Sequence, residues 1–144
     1  MKIQIKRLKP KAQLPEYQTA GSAAVDLHAC LDQPVLLKPL GRAIIPTGLS
    51  LAMPMGVHAE IRPRSGLAAK HGIALANGVA TIDSDYRGEI GVILINLSDQ
   101  TFEVKDGMRV AQMLLIRYET FDWREVEQLD ETDRGEGGYG STKH

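Results

Sequence analysis

Residues 80–90 read Ala-Thr-Ile-Asp-Ser-Asp-Tyr-Arg-Gly-Glu-Ile. Two carboxylates, Asp83 and Asp85, stand close together, and Tyr86, Arg87 and Gly88 follow at once. Apolar runs flank the stretch, residues 73–79 before it and 90–97 after it. Two strand-like runs joined by a polar, glycine-containing segment predict a hairpin whose tip is either a solvated turn or a site. Asp, Ser and Gly favour turns through local hydrogen bonds and backbone freedom alone. The stretch by itself leaves both readings open.

Working outward, short strand-like pieces recur. Lys2 to Leu8 alternates polar and apolar residues, which predicts an opening strand with one buried face. Lys9–Gly21 carries Pro10 and Pro15 and reads as an extended loop. From Ala24 to Cys30, Val25, Leu27 and Ala29 share one face, and Asp26, His28 and Cys30 the other. Asp is depleted from strands, so Asp26 is either an unusual member of a solvated face or a functional group. Short pieces at 34–40, 42–45, 49–53 and 57–62 follow, separated by Gly and Pro. A spacing of about 8–12 residues between such pieces predicts an all-β sandwich, barrel or jelly-roll-like domain.

Ser65 to His71 is the one short helix expected before the C-terminal third, with Ser65 as its cap and Gly72 as its stop. Residues 90–97, Ile-Gly-Val-Ile-Leu-Ile-Asn-Leu, are apolar on both faces. Such a strand needs cover on both sides, here a second sheet and a subunit contact. Residues 101–104 and 110–116 read as further strands around an Asp106-Gly107 turn. Residues 119–133 are acidic and weakly periodic, an outer arm, and a glycine-rich tail begins at Arg134. The expected division is a β domain over 1–133 and a C-terminal lid motif over 134–144.

The chain has 144 residues, 43% hydrophobic and 24% charged, which suits one folded domain with a real core. A formal net charge of −1 gives no global field for nucleic acid or an anionic membrane. The single cysteine, Cys30, can form neither an internal disulfide nor a cysteine metal site. The opening residues lack the apolar core of a signal peptide, and no run approaches the ~20 apolar residues of a membrane helix. The expectation is a soluble cytoplasmic protein that binds neither nucleic acid nor membrane.

Several short islands could handle phosphate. Pro63-Arg64-Ser65-Gly66-Leu67 puts an arginine and a hydroxyl at a helix start, either an anion seat or a plain helix cap. Residues 107–112 set Arg109 and Gln112 around an apolar pair, either phosphate contacts or a strand with one charge facing solvent. The tail from Arg134 to Thr142 offers a charge, the ring of Tyr139 and the hydroxyls of Ser141 and Thr142 among glycines. It is not a Walker A loop, because Lys143 follows rather than precedes Ser141 and Thr142. It is either a flexible end or a lid for a nucleoside triphosphate.

Each island is weak alone. In order they are Ala-Val-Asp-Leu-His-Ala at 24–29, Pro-Arg-Ser-Gly-Leu-Ala at 63–68, Asn77 through Gly88, Arg-Val-Ala-Gln at 109–112 and the 134–142 tail. Together they resemble the homotrimeric deoxyuridine triphosphate nucleotidohydrolases, the dUTPases, over nearly the whole chain. The resemblance implies a jelly-roll-like distorted barrel, the dUTPase β-clip, assembled as a homotrimer with sites at subunit boundaries. One subunit would give the 24–29, 63–68 and 109–112 motifs. A second would give the Asn77–Gly88 hairpin, and the third its tail as a lid.

The implied reaction is dUTP plus water giving dUMP and pyrophosphate, which keeps uracil out of DNA and supplies dUMP for dTMP synthesis. Asp83 matches the base that activates water. Mg²⁺ is the implied cofactor, held mostly by the triphosphate and water, with Asp26 acting through water. Arg64, Ser65, Gly66, Arg109 and Gln112 fall in the phosphate-binding motifs. Asn77 matches the uracil-reading segment, and Tyr86 the ring under the deoxyribose that excludes UTP. Tyr139 matches the tail aromatic, usually phenylalanine, that stacks on uracil. Arg134, Gly140, Ser141 and Thr142 match lid positions, and Asp85 is left to support the turn. The sequence departs from the family pattern at Thr81, where glycine is common, and in its Thr-Lys-His ending.

Two rivals remain. A dCTP deaminase, a relative on the same fold, typically carries Arg-Ser-Ser where this chain has Arg64-Ser65-Gly66, and it lacks the Asp-Tyr-Arg-Gly segment. Ammonia release from dCTP would mark it. A decayed binding module would hold dUTP without making pyrophosphate, and the intact Asp83 and Tyr86 argue against it.

Overall fold

The computed structural model describes residues 1–138. The alternating stretches become strands: β1 (Gln4–Arg7), β2 (Val25–His28), β3 (Val35–Leu37), β4 (Arg42–Pro46), β5 (Leu49–Ala52) and β6 (Val57–Arg62). The helix α1 (Ser65–His71) follows, then β7 (Ile73–Leu75), β8 (Ala80–Ile82), β9 (Gly91–Asn96), β10 (Phe102–Val104) and β11 (Arg109–Arg117). They pair antiparallel in four small sheets, β1-β5, β10-β3, β2-β11-β6-β8 and β4-β9-β7. No two consecutive strands pair among the described residues. Every ladder therefore joins distant parts of the chain, the arrangement of a rolled-up all-β domain.

The core follows the period-two pattern. In β6, Val57, Ala59 and Ile61 are buried while His58 and Glu60 are half-exposed. In β9, Val92, Leu94 and Asn96 point inward. Val92 and Leu94 meet Leu27, Ile45, Leu49, Ile73 and Val110 in one cluster. The other face of β9 carries Ile93 and Ile95, half-buried, with Ile44 of the neighbouring β4 68% exposed opposite Ile93. One face is thus covered by the core, and the other is an apolar surface left partly open.

Within the strands the structure departs from the sequence reading at three places. The stretch at 80–90 is not a hairpin: β7 pairs with β9, and β8 pairs with β6 in a different sheet. The flanking apolar runs belong to two sheets, and the polar segment crosses between them. Cys30 is buried rather than on the polar face with Asp26. Beyond β2 the backbone leaves its ladder, with Ala29 N–H bonded to Met108 O and Cys30 N–H to Pro46 O, so alternation ends there. The residues of β1 are exposed on both faces. Residues 119–131 form no strand or helix, and Phe121 and Trp123 pack edge-to-face while both stay exposed.

Among the described residues no helix is long and apolar enough to cross a membrane. The turn from β4 to β5 rests on Gly48, whose φ of 69° lies in the left-handed region. A Cβ there would come within 2.7 Å of Ala12 Cβ and 2.9 Å of Cys30 Sγ. Gly48→Ala combines backbone strain with a core clash, so it should lower unfolding free energy by at least about 2 kcal/mol in urea titration.

Candidate active site

The motifs expected to handle phosphate at 24–29, 63–68 and 109–112 converge at one end of the β2-β11-β6-β8 sheet. Gln112 of β11 lies opposite Asp26 of β2 on one side and Arg62 of β6 on the other. The register between β2 and β11 shifts between Arg109 and Ala111. Three positions apart, Arg109 and Gln112 would face opposite sides of a regular strand. The bulge lets Val110 and Ala111 both enter the core and turns both polar side chains outward.

The β6 strand ends at Arg62, and Arg64 follows in extended conformation at the start of α1. Its Nε donates to Asp26 Oδ1 at 2.9 Å, and its Nη1 to Arg109 O at 3.3 Å. Arg109 Nη1 donates to Asp26 Oδ2 at 3.1 Å. Gln112 Nε2 donates to Pro63 O at 2.9 Å. One carboxylate with 12% side-chain exposure thus orients two guanidiniums from separate elements. Ser65 is not the helix cap: Arg64 takes that position, and Ser65 is the exposed first helical residue. Its hydroxyl makes no hydrogen bond among the described residues, and Gly66 beside it has open space where a side chain would stand.

His28, two residues on from Asp26, has a buried Nδ1 without a hydrogen-bond partner. Burial pushes its pKa below the ordinary value. The Asp26 carboxylate opposes this, and the Arg109 and Arg64 guanidiniums add to it. Among the described residues no three His, Cys, Asp or Glu side chains gather to hold a metal ion. Both Asp26 oxygens already accept a guanidinium, and a carboxylate oxygen keeps a second lone pair. Asp26 therefore suits contact with a metal's bound water.

Asp83 and Tyr86 are elsewhere. Asp83 follows β8, two strands beyond β11 and three from Asp26, about 14 Å across the sheet at ordinary strand spacing. Ile82 pairs with Ala59, whereas Gln112 pairs with Arg62, which adds about 10 Å along the strands. The carboxylate of Asp83 is exposed, and Tyr86 is 45% exposed. Asn77 is exposed on the turn between β7 and β8. Asp85 makes no hydrogen bond among the described residues, so it does not support the turn as expected. The turn is held by Tyr86 N–H on Asp83 O and by Arg87 Nη1 on the Ser84 and Tyr86 carbonyls. Arg134 lies in an exposed turn with its Nε on Gly137 O. Tyr139, Gly140, Ser141 and Thr142 lie outside the described residues.

A family model for dUTPase matches residues 10–143. The chain belongs to the dUTPase family. Among its curated relatives are deoxyuridine 5′-triphosphate nucleotidohydrolases of Treponema denticola, 50% identical over 136 residues and 94% of both chains, and of Finegoldia magna, 50% identical over 142 residues and 99% of both. The Staphylococcus bacteriophage 80alpha dUTPase, solved with dUPNHPP, has a TM-score of 0.89 at 24% identity over 98% of both chains. The dUTPase of Staphylococcus aureus phage phi11, described with a structural Mg(II) ion, has a TM-score of 0.82 at 20% identity, over 91% of this chain and all of that one. The fold is the all-β clip of this family, with one short helix.

Sequence reasoning missed Glu89, Ser50 and Thr47. Ser50 Oγ donates to Arg87 O, Thr47 Oγ1 to Ile90 O, and Gly48 N–H to Glu89 Oε1. Each partner is tens of positions away, so no local pattern could have revealed them.

The depressed His28 pKa has a consequence for stability. Between that value and about 6.5, the unfolded chain binds the extra proton and the folded chain does not. Stability contributed by neutral His28 should be complete above about pH 6.5 and fall as pH drops through that window. NMR titration of the His28 ring should give a midpoint below the ordinary histidine value, and the thermal midpoint should fall with pH over the same range.

Proposed function

We propose that this chain hydrolyses dUTP to dUMP and pyrophosphate, in homotrimers whose sites are shared between subunits. The observation that carries the activity is the family match over residues 10–143, with relatives named as deoxyuridine 5′-triphosphate nucleotidohydrolases at half identity along almost the full chain. The geometry supports the sharing. Within one chain Asp83 lies two strand spacings beyond β11 and three from Asp26, with a further offset of about 10 Å along the strands from Gln112, which sets the proposed base apart from the Asp26–Arg109–Gln112 groups. The open apolar face bearing Ile44, Ile93 and Ile95 is a surface that a second copy would cover.

In this reading Arg64, Arg109 and Gln112 grip the phosphates of dUTP, already oriented by Asp26 and Pro63 O. The unengaged Ser65 hydroxyl donates to the oxygen where charge grows as the bond breaks. Asp83 of a second subunit takes a proton from water, whose oxygen attacks the α-phosphorus in line with the departing pyrophosphate. Asn77 and its turn read uracil, whose carbonyl acceptor cytosine replaces with a donor. The Tyr86 ring lies under the deoxyribose, where a 2′-hydroxyl would clash. Arg134, Tyr139, Gly140, Ser141 and Thr142 of a third subunit close over the nucleotide. Mg²⁺ bound with the triphosphate would neutralise phosphate charge, and Asp26 would accept hydrogen bonds from its bound water. The cytoplasm, where nucleotides are made, is the proposed compartment.

Pyrophosphate release should be specific for dUTP over dCTP, dTTP and UTP, and should depend on Mg²⁺. Asp83→Asn should keep nucleotide affinity and lose at least about 10²-fold in kcat, the usual worth of a positioned base. A wild-type kcat would refute its role. Unfolding and refolding Asp83→Asn together with Arg64→Ala should restore activity at about a quarter of sites, as random mixing of two-subunit sites requires. Mixtures no more active than either variant alone would rule out sharing.

A further inference from the structure

The segment after Asp83 is strapped to the core more firmly than an exposed turn requires. Ser50 Oγ donates to Arg87 O at 2.7 Å, and Gly48 N–H donates to Glu89 Oε1 at 2.7 Å. Ile90 N–H donates to Leu49 O, and both Thr47 N–H and its hydroxyl donate to Ile90 O. Residues 87, 89 and 90 are thus tied in turn to 47–50. Gly48 itself sits close against Ala12 and Cys30, with no room for a side chain.

Tyr86 sits at the free end of this strap. The hydroxyl end of its ring packs closely against Gly88: an ideal Cβ there would come within 2.5 Å of Tyr86 Cζ and closer still to Oη. The closeness is between side chain and backbone and does not come from special backbone angles, for the φ of Gly88 is not in the left-handed region. The Tyr86 hydroxyl donates to Glu89 O at 3.2 Å. An exposed tyrosine ordinarily changes rotamer within nanoseconds. Here the ring has a floor, Gly88, and an anchor, the Glu89 carbonyl. That carbonyl belongs to the residue whose carboxylate grips Gly48.

We infer that Glu89 is a positioning residue for sugar selection. Its carboxylate, held by the Gly48 amide, fixes the Glu89 backbone and so the plane of the Tyr86 ring before any nucleotide arrives. A ring fixed in advance presents a hard wall to a 2′-hydroxyl, whereas a mobile ring yields to it. Discrimination between dUTP and UTP then depends on a carboxylate that touches neither substrate. The inference rests on the role proposed for Tyr86.

The test is kcat/KM for dUTP and UTP in wild type, Glu89→Ala, Glu89→Gln, Tyr86→Phe and Tyr86→Ala, with thermal midpoints for each. Glu89→Ala should lower the dUTP-to-UTP ratio by about tenfold, chiefly by improving kcat/KM for UTP. Glu89→Gln, whose amide oxygen can accept the same N–H, should restore most of it. A merely structural role would lower both substrates together and leave the ratio intact, and that result overturns the inference. So does a Gln variant that folds yet discriminates no better than Ala. If Glu89→Ala fails to fold, Tyr86→Phe decides. It removes only the bond to the Glu89 carbonyl and should relax the ratio a few-fold, whereas an unchanged ratio refutes the anchor. Tyr86→Ala separates the two levels. If it leaves discrimination intact, the proposed role of Tyr86 fails. If it abolishes discrimination while Glu89→Ala does not, only the inference fails.

Discussion

One half-buried carboxylate holds together the end of this domain where phosphate contacts are proposed. Asp26 accepts from Arg64, at the junction of β6 and α1, and from Arg109, at the bulged end of β11. Two guanidiniums this close repel each other, and both are partly withdrawn from water. A shared anion offsets both costs and, because guanidinium donors have fixed geometry, aims the remaining N–H groups. Three elements are fastened at the point where the proposed phosphate contacts lie.

The cluster depends in turn on an irregularity. Arg109 and Gln112 share a face only because β11 carries an extra residue there, which lets Val110 and Ala111 occupy the core together. The bulge bends the end of a nine-residue strand that pairs with both β2 and β6. Packing and site geometry are therefore one solution: the same extra residue fills the core and directs the polar groups outward.

At the opposite edge of the sheet the chain uses a different device. The segment bearing Asp83 and Tyr86 belongs to no ladder beyond Ile82, so its shape comes from hydrogen bonds to residues 47–50 and from a glycine pressed under a tyrosine. A single chain leaves this segment and the guanidinium cluster well apart. Their proposed union requires a neighbour, consistent with the apolar surface beside Ile44 and Ile93.

Strand positions, the one helix and the residue types of the site were legible because they are local. Period-two burial in β6 and β9 follows from where successive side chains point, and the five motifs are contiguous in the chain. Their order along the chain was enough to resemble the dUTPase family. Which strands pair was not legible, because every ladder joins residues far apart, and the expected hairpin at 80–90 failed for that reason. Apolar flanks reveal burial and not partnership. Cys30 was misplaced because alternation holds only while the backbone stays in its ladder. The bulge at Val110, the exposed Ser65 hydroxyl, the Glu89–Gly48 contact and the separation of Asp83 from Asp26 were decided by tertiary structure alone. Each depends on register or on a meeting of residues tens of positions apart, and that is set by the packing of the whole core.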